Sequence, residues 1–157
     1  MAAKRRGRSF CARNTCSVSA SPLALLVEAD YGRDVARALF AEIYGYWTEL
    51  PAERRPRLYL HGLSLGALHS QRSWELHELL GDPIHGALWS GPPFRSDLWR
   101  TLTDSRDPDS PEWRPRFRDG RFVRFMNQQG TAEPADAPWG PMRLLYLQYA
   151  SDPITFF

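Results

Sequence analysis

Residues 58–70 read LYLHGLSLGALHS. A short apolar run after Pro56 ends in Gly62-Leu63-Ser64-Leu65-Gly66, and leucines at helical spacing follow. The pattern predicts a strand, a tight turn and a helix running to about Leu80, with Leu65, Leu68, Leu76 and Leu79 on one face. Two roles fit Ser64: a nucleophile, or a small residue that a strand-to-helix turn needs for packing. A G-x-S-x-G string arises by chance about once in twenty chains of this length, so the motif gains weight only from its setting. That setting, an apolar strand before and a helix after, is the one that gives the motif its mechanism. A serine in such a turn sits in strained backbone space, where neighbours carrying a Cβ would clash; Gly62 and Gly66 remove the clash. The backbone N–H of Leu65, at the helix N-terminus, is placed to donate to a developing oxyanion.

Working outward, "GRDVARALFAEIYGYWTEL" upstream repeats Val35, Leu39, Ile43, Tyr46/Trp47 and Leu50 at helical spacing and stops at Pro51. Downstream, "IHGALWSGPP" gives a second buried strand around residues 86–89 and "MRLLYLQYA" a third. Residues 94–140 are rich in Arg, Asp, Pro and Trp, with a hairpin signal at Asp119-Gly120. They read as a lid-like excursion over the sheet or equally as a surface hairpin. Short apolar strands joined through helices indicate an α/β fold with a parallel sheet.

An acid partner for the serine is expected at a later strand end, since acid and then histidine follow serine along the chain in this architecture. Asp152, directly after the third strand, fits; an Asp-Pro turn with a local hydrogen bond fits as well. A general base is not identifiable. No histidine follows Asp152, and the four in the chain lie earlier. His61 is in the strand beside the serine turn. His69 and His77 lie along the following helix, each turn of which adds about 5.4 Å from its start. His85 begins the next strand, at the wrong end. All four are read as structural or surface residues.

Length and composition place the 157 residues in one domain with a real core: 43% are hydrophobic and 13% aromatic. The net charge of +2 misleads, because Lys4, Arg5, Arg6, Arg8 and Arg13 stand in the first 13 residues without an acid. Removing those five leaves 15 basic against 18 acidic residues. Residues 1–20 are therefore expected to be a disordered basic arm, with residues 21–157 as the folded body. Nucleic-acid binding through "KRRGR" and the Arg-Phe alternation at 114–125 is a third class of function, disfavoured because such a stripe is more often a solvated face backed by core and the body is not basic. Cys11 and Cys16 form a lone C-x4-C pair with no second pair, so a metal is not expected, and acyl transfer by a serine needs no other cofactor. No apolar run approaches the ~20 residues of a membrane span. An Arg- and Ser-rich start without acids also fits an organellar transit peptide, but a cytoplasmic chain is the expectation.

Five strings, "LVEADYGRDVARALFAEIYGYWTELPAERRPRLYLHGLSLGALHSQ", "GALWSGPPFRSDLW", "RDPDSPEWRP", "VRF" and "RLLYLQYASDPITFF", occur in order. Together they resemble the bacterial α/β-hydrolase catalytic-domain family, from about Ser21 to Phe157. The resemblance implies a partial α/β-hydrolase fold: the nucleophile strand, the two strands after it, and flanking helices. It implies Ser64 as nucleophile and, through Tyr146, Leu147, Gln148, Ser151, Asp152 and Pro153, Asp152 as the triad acid. The substrate would be a small ester or acyl compound. The family reads Gly-Glu-Ser-Leu-Gly where this chain has Leu63 in place of the acid. Its histidine lies downstream of the Ser-Asp-Pro string, and its longer members carry an N-terminal membrane region. Neither has a counterpart here, nor do the earlier strands and their oxyanion loop. The expectation is a truncated member with impaired turnover. Its alternatives are a non-catalytic remnant, or one half of a split hydrolase that pairs with another chain. An open edge on the nucleophile strand would invite self-association.

Overall fold

The computed structural model describes residues 9–13, 32–73, 81–93 and 96–156. Among them, β1 (Ser9–Arg13), α1 (Arg33–Glu49), β2 (Arg57–Leu63), α2 (Leu65–Arg72), β3 (Gly86–Ser90), α3 (Asp97–Asp104), β4 (Val123–Asn127), β5 (Gly130–Thr131) and β6 (Arg143–Leu147) follow in order, with a 3-10 turn at Arg118–Gly120. Six strands make one sheet in the order β1-β2-β3-β6-β4-β5. Only β5, which pairs with β4, runs antiparallel. The parallel α/β architecture expected from the strand-turn-helix reading is the one observed.

The sheet is wider than the three strands expected. Residues 9–13, read as part of a disordered arm, form β1, which pairs along β2 from Ser9↔Arg57 to Arg13↔His61. This corrects two expectations together. The arm is a strand over these five residues, with Cys11 in it, and the edge of β2 expected to be open is occupied. Cys16 lies outside the described residues, as do Leu76, His77 and Leu79. The excursion at 94–140 also yields sheet: β4 lies beside β6, from Val123↔Leu144 to Met126↔Leu147.

The hairpin stands elsewhere than expected. Arg118, Asp119 and Gly120 all have positive φ (46°, 57° and 63°), and Gly120 packs where a Cβ would meet the Glu133 side chain at 2.5 Å. Before them, Arg116 is turned aside to Asp107 and Asp109, both at 2.8 Å, so no first strand forms. The two-residue hairpin turn falls at Gln128-Gln129 instead, where Asn127 pairs with Gly130 and its Oδ1 accepts from the Gln129 N–H.

Packing explains which helix face is used. On α1 the buried positions are Ala36, Phe40 and Trp47, with Ile43 and Tyr44 packed against the core. Val35 and Tyr46, expected to face inward, are 63% and 68% exposed, and Leu39 is exposed as well. Both stripes have helical spacing; one residue of offset rotates the face by about 100°. The aromatic stripe wins because it stacks, Phe40 on Tyr44 at 5.3 Å and Tyr44 beside Trp47 at 5.9 Å, and because it buries more area. Trp47 Nε1 donates to the Pro56 carbonyl at 2.7 Å, which pins the start of β2. The helix ends at Leu50, whose ψ of 142° is the extended conformation that a following proline demands.

Across the sheet, Gly62, Trp89, Tyr146 and Phe125 stand in one register row, and Leu60, Ala87, Leu144 and Val123 in the next. Trp89, Tyr146 and Phe125 are fully buried, with Tyr146 between the other two rings at 5.2 and 5.0 Å. Each such ring stabilises the fold by about 1.5–3 kcal/mol relative to exposure. This row lies under α2, since Trp89 Nε1 donates to Ser70 Oγ at 3.0 Å.

Candidate active site

Ser64 forms the turn between β2 and α2 with φ 53° and ψ −119°. This is neither strand nor helix, and it is outside the left-handed helical well that a side chain tolerates best. Surrounding bonds hold it there. Its N–H donates to the Ser90 carbonyl of β3 at 2.8 Å, and its own carbonyl accepts from Ala67 N at 2.9 Å and Leu68 N at 3.2 Å. A Cβ on Gly62 would meet Gly66 O at 2.3 Å and Ala67 N at 2.6 Å. The two glycines of the motif are thus in contact with each other, backbone on backbone. The serine side chain makes no capping bond to its own helix, although serine is a preferred cap. Leu65, as the first residue of α2, has no carbonyl four residues back for its N–H.

Asp152 lies five residues past the end of β6. Its N–H donates to the Tyr149 carbonyl at 2.9 Å, Oδ1 accepts from Ile154 N at 2.9 Å, and Oδ2 from Thr155 Oγ1 at 3.3 Å. The side chain is half-buried. The local turn bond foreseen for an Asp-Pro turn is present, and it leaves the carboxylate at the sheet edge. Gly91, which follows β3, has φ 53°, and a Cβ there would stand 3.2 Å from Asp152 Oδ2. Its N–H donates to Leu147 O at 2.8 Å. Gly91 went unmarked in the sequence; its signal was the Ser-Gly-Pro-Pro that ends the second strand. Ser64, Gly91 and Asp152 therefore follow the C-terminal ends of β2, β3 and β6, three neighbouring parallel strands, where active-site groups gather in open α/β sheets. Leu63, in the place of the acidic residue, is 67% exposed beside them.

The structure brings none of the described histidines to that edge. His61 is exposed on the face of β2 opposite Gly62, about 10 Å down the strand from Ser64. His69 is buried in the second turn of α2. His85 stands at the far end of the sheet, where its Nδ1 accepts from Leu58 N at 3.2 Å. Burial, and then the charge of Arg57, hold its pKa below the ordinary histidine value. His77 lies outside the described residues. Two clefts flank the acid loop: one of about 400 Å³ with Thr155 and Phe156 on its wall, and one of about 350 Å³ with Trp113, Asn127 and Ala150. Ser64 lines neither.

Among the described residues no group of three or more His, Cys, Asp or Glu side chains could hold a metal ion. No helix there is long and apolar enough to cross a membrane. Comparison with curated proteins and with solved structures gives no match. A model of the alpha/beta-hydrolase family matches residues 5–157. The match takes in β1, so the resemblance placed at Ser21 begins earlier, within the segment expected to be a disordered arm. Fold, strand-end geometry and this match agree, and the chain belongs to the α/β-hydrolase family.

Proposed function

We propose that the chain is a serine hydrolase of the α/β type, acting on small esters or related acyl compounds. Ser64 Oγ attacks the acyl carbon, the carbonyl π electrons move to oxygen, and the Leu65 N–H donates to that oxyanion. Collapse expels the alcohol and leaves an acyl-serine, which water then hydrolyses. Asp152 would orient and charge-stabilise a histidine that takes the serine proton and returns it to the leaving group, a base that none of the described histidines supplies. The observation that carries this reading is the backbone of Ser64. A strained turn, held by three backbone bonds and by glycines in contact, costs stability and presents a hydroxyl that does not cap its helix.

A second reading has its own support. His61, His69 and His85 all lie away from the edge that carries Ser64 and Asp152, so the base would come from outside the described residues or from another polypeptide, as in a split hydrolase. Without a base, turnover falls by on the order of a millionfold.

The test is a fluorophosphonate probe on the purified chain, read by intact mass, with Ser64→Ala as control. A Ser64-dependent adduct is expected if an activated serine is assembled. A folded chain that gives no adduct alone, but gives one when co-expressed with the adjacent coding sequence, selects the split enzyme. No adduct in either case identifies a non-catalytic remnant.

A further inference from the structure

The string Tyr146-Leu147-Gln148 places two polar side chains at zero exposure. Phenylalanine would fill the ring's place between Trp89 and Phe125 equally well, so the phenol hydroxyl has a different use. Burial without a partner is costly for a hydroxyl or an amide. Both are paired.

Tyr146 Oη donates to Gln71 Oε1 on α2 at 2.9 Å, and Ser96 Oγ donates to the same oxygen. Burial holds the Tyr146 phenol far above its usual pKa, so it remains a donor. Gln71 Nε2 donates to the Ala67 carbonyl at 3.0 Å, and Ala67 N in turn donates to Ser64 O. On the other side, Ser96 Oγ accepts from Trp99 N, and Trp99 Nε1 donates to Gln148 Oε1 at 2.7 Å. Gln148 Nε2 reaches the Trp113 carbonyl at 3.2 Å, while Gln148 N donates to Met126 O. The turn that carries Asp152 begins at the next residue, Tyr149, with the Asp152 N–H to Tyr149 O bond. A single chain of buried hydrogen bonds thus runs from the carbonyl of Ser64 to the root of the Asp152 turn. Gln71, Ser96, Trp99, Tyr146 and Gln148 are each less than a tenth exposed. An apolar set of the same shape would hold the helix on the sheet about as well. It would not fix the rotation of α2 about its own axis relative to the strand that leads to Asp152, which directional bonds do.

We propose that Gln71, clamped by Tyr146 and Ser96, is a positioning residue that sets the turn of Ser64 against the loop of Asp152. The proposal rests on the hydrolase reading, and it names groups that touch no reacting atom.

Amide hydrogen exchange by NMR on Tyr146→Phe tests it. The amides of Ala67 and Leu68, bonded to Ser64 O, and of Ile154, bonded to the Asp152 carboxylate, are expected to exchange about tenfold faster. Those of His85 and Arg143, at the opposite end of the sheet, should stay within about twofold. A uniform acceleration at both ends, or no change at either, overturns the proposal. Should Tyr146→Phe fail to fold, Ser96→Ala removes the other donor to Gln71 and is read the same way. Fluorophosphonate labelling separates the two levels. If the wild-type chain is labelled, Tyr146→Phe should lower the maximal labelling rate about tenfold with the probe's half-saturation unchanged, and a change in half-saturation alone counts against positioning. If the wild-type chain is labelled neither alone nor when co-expressed with the adjacent coding sequence, the hydrolase reading falls, and the exchange pattern by itself decides whether turn and loop are coupled.

Discussion

Two serines open two helices of equal length in this molecule, and they are used in opposite ways. Ser96 precedes the eight residues of α3 in relaxed extended geometry, φ −76° and ψ 106°, and its Oγ accepts from Trp99 N at 3.2 Å. Asp97 follows in the first turn, complementing the helix dipole. Ser64 precedes the eight residues of α2 with φ 53° and ψ −119°, caps nothing, and has no acid in the turn after it. A capping serine contributes about 1 kcal/mol, whereas a strained non-glycine backbone costs about 1–3 kcal/mol. Ser96 is where stability alone would put a serine. Ser64 is held where stability would not, and the bonds around it make the difference.

The largest break in that contrast comes from Gly62. Its missing Cβ is where the backbone of Gly66 and Ala67 passes, at 2.3–2.6 Å, and backbone cannot swing aside as a long side chain can. Gly62→Ala is expected to destabilise the protein by at least about 3 kcal/mol, above the usual range for overpacking. The urea midpoint measures it. A loss under about 1 kcal/mol would show that the turn yields readily and that the strain at Ser64 is not enforced from Gly62.

The two serines themselves should respond with opposite signs. Ser96→Ala removes a cap and one of the two donors to Gln71, and is expected to cost about 1–2 kcal/mol. Ser64→Gly relieves the positive φ while losing no capping bond, and is expected to stabilise by about 1 kcal/mol while abolishing any probe adduct. Chemical denaturation of both variants beside the wild type reads the signs directly. If both changes destabilise, Ser64 is a packing residue in a tight turn, and the functional reading loses its main support.

How far this was legible in the sequence follows from which forces act locally. The turn at Ser64 was readable because its constraint is written in adjacent residues, Gly62 and Gly66. Asp152 was picked out by reading an apolar strand as far as Ala150, although β6 itself ends at Leu147, five residues before it. β1 was not, since Ser9–Arg13 shows no alternation of its own and is a strand by virtue of pairing with β2. β4 was read as the arm of a hairpin because Arg and Phe alternate around Asp119-Gly120, a pattern in which Arg124 would face solvent. That guanidinium is buried yet satisfied, donating to the carbonyls of Gly120, Ala137 and Pro138 and lying 3.9 Å over the Trp139 ring. No sequence pattern announces a cation solvated by distant carbonyls. The slip on α1, from the Ala36–Phe40–Trp47 stripe to the Val35–Leu39 stripe, has the same origin, because both have the correct period and only the partner surface chooses.

The smallest expected effect lies at the other end of the sheet and sharpens the contrast between a reactive edge and a quiet one. His85 Nδ1 accepts from the Leu58 N–H, which requires the neutral ring, and burial with the nearby charge of Arg57 lowers its pKa. In the unfolded chain the ring takes a proton near its ordinary value of about 6.5; in the folded chain it does so only at lower pH. Below about pH 6.5 the unfolded state therefore binds more protons. The stability tied to His85 is complete above that value and is lost as pH falls through the lowered folded pKa. His85→Asn keeps an acceptor for Leu58 but does not titrate. Urea midpoints at pH 7.5 and 5.5 should fall less steeply for the variant than for the wild type; equal slopes would mean that the ring is not held neutral. The pH profile of any labelling at Ser64 should be the same in both proteins, because His85 is anchored to the start of β2 and Ser64 stands past its end. A profile that moved with His85 would make the far end of the sheet part of the proton path, and the search for the base would turn there.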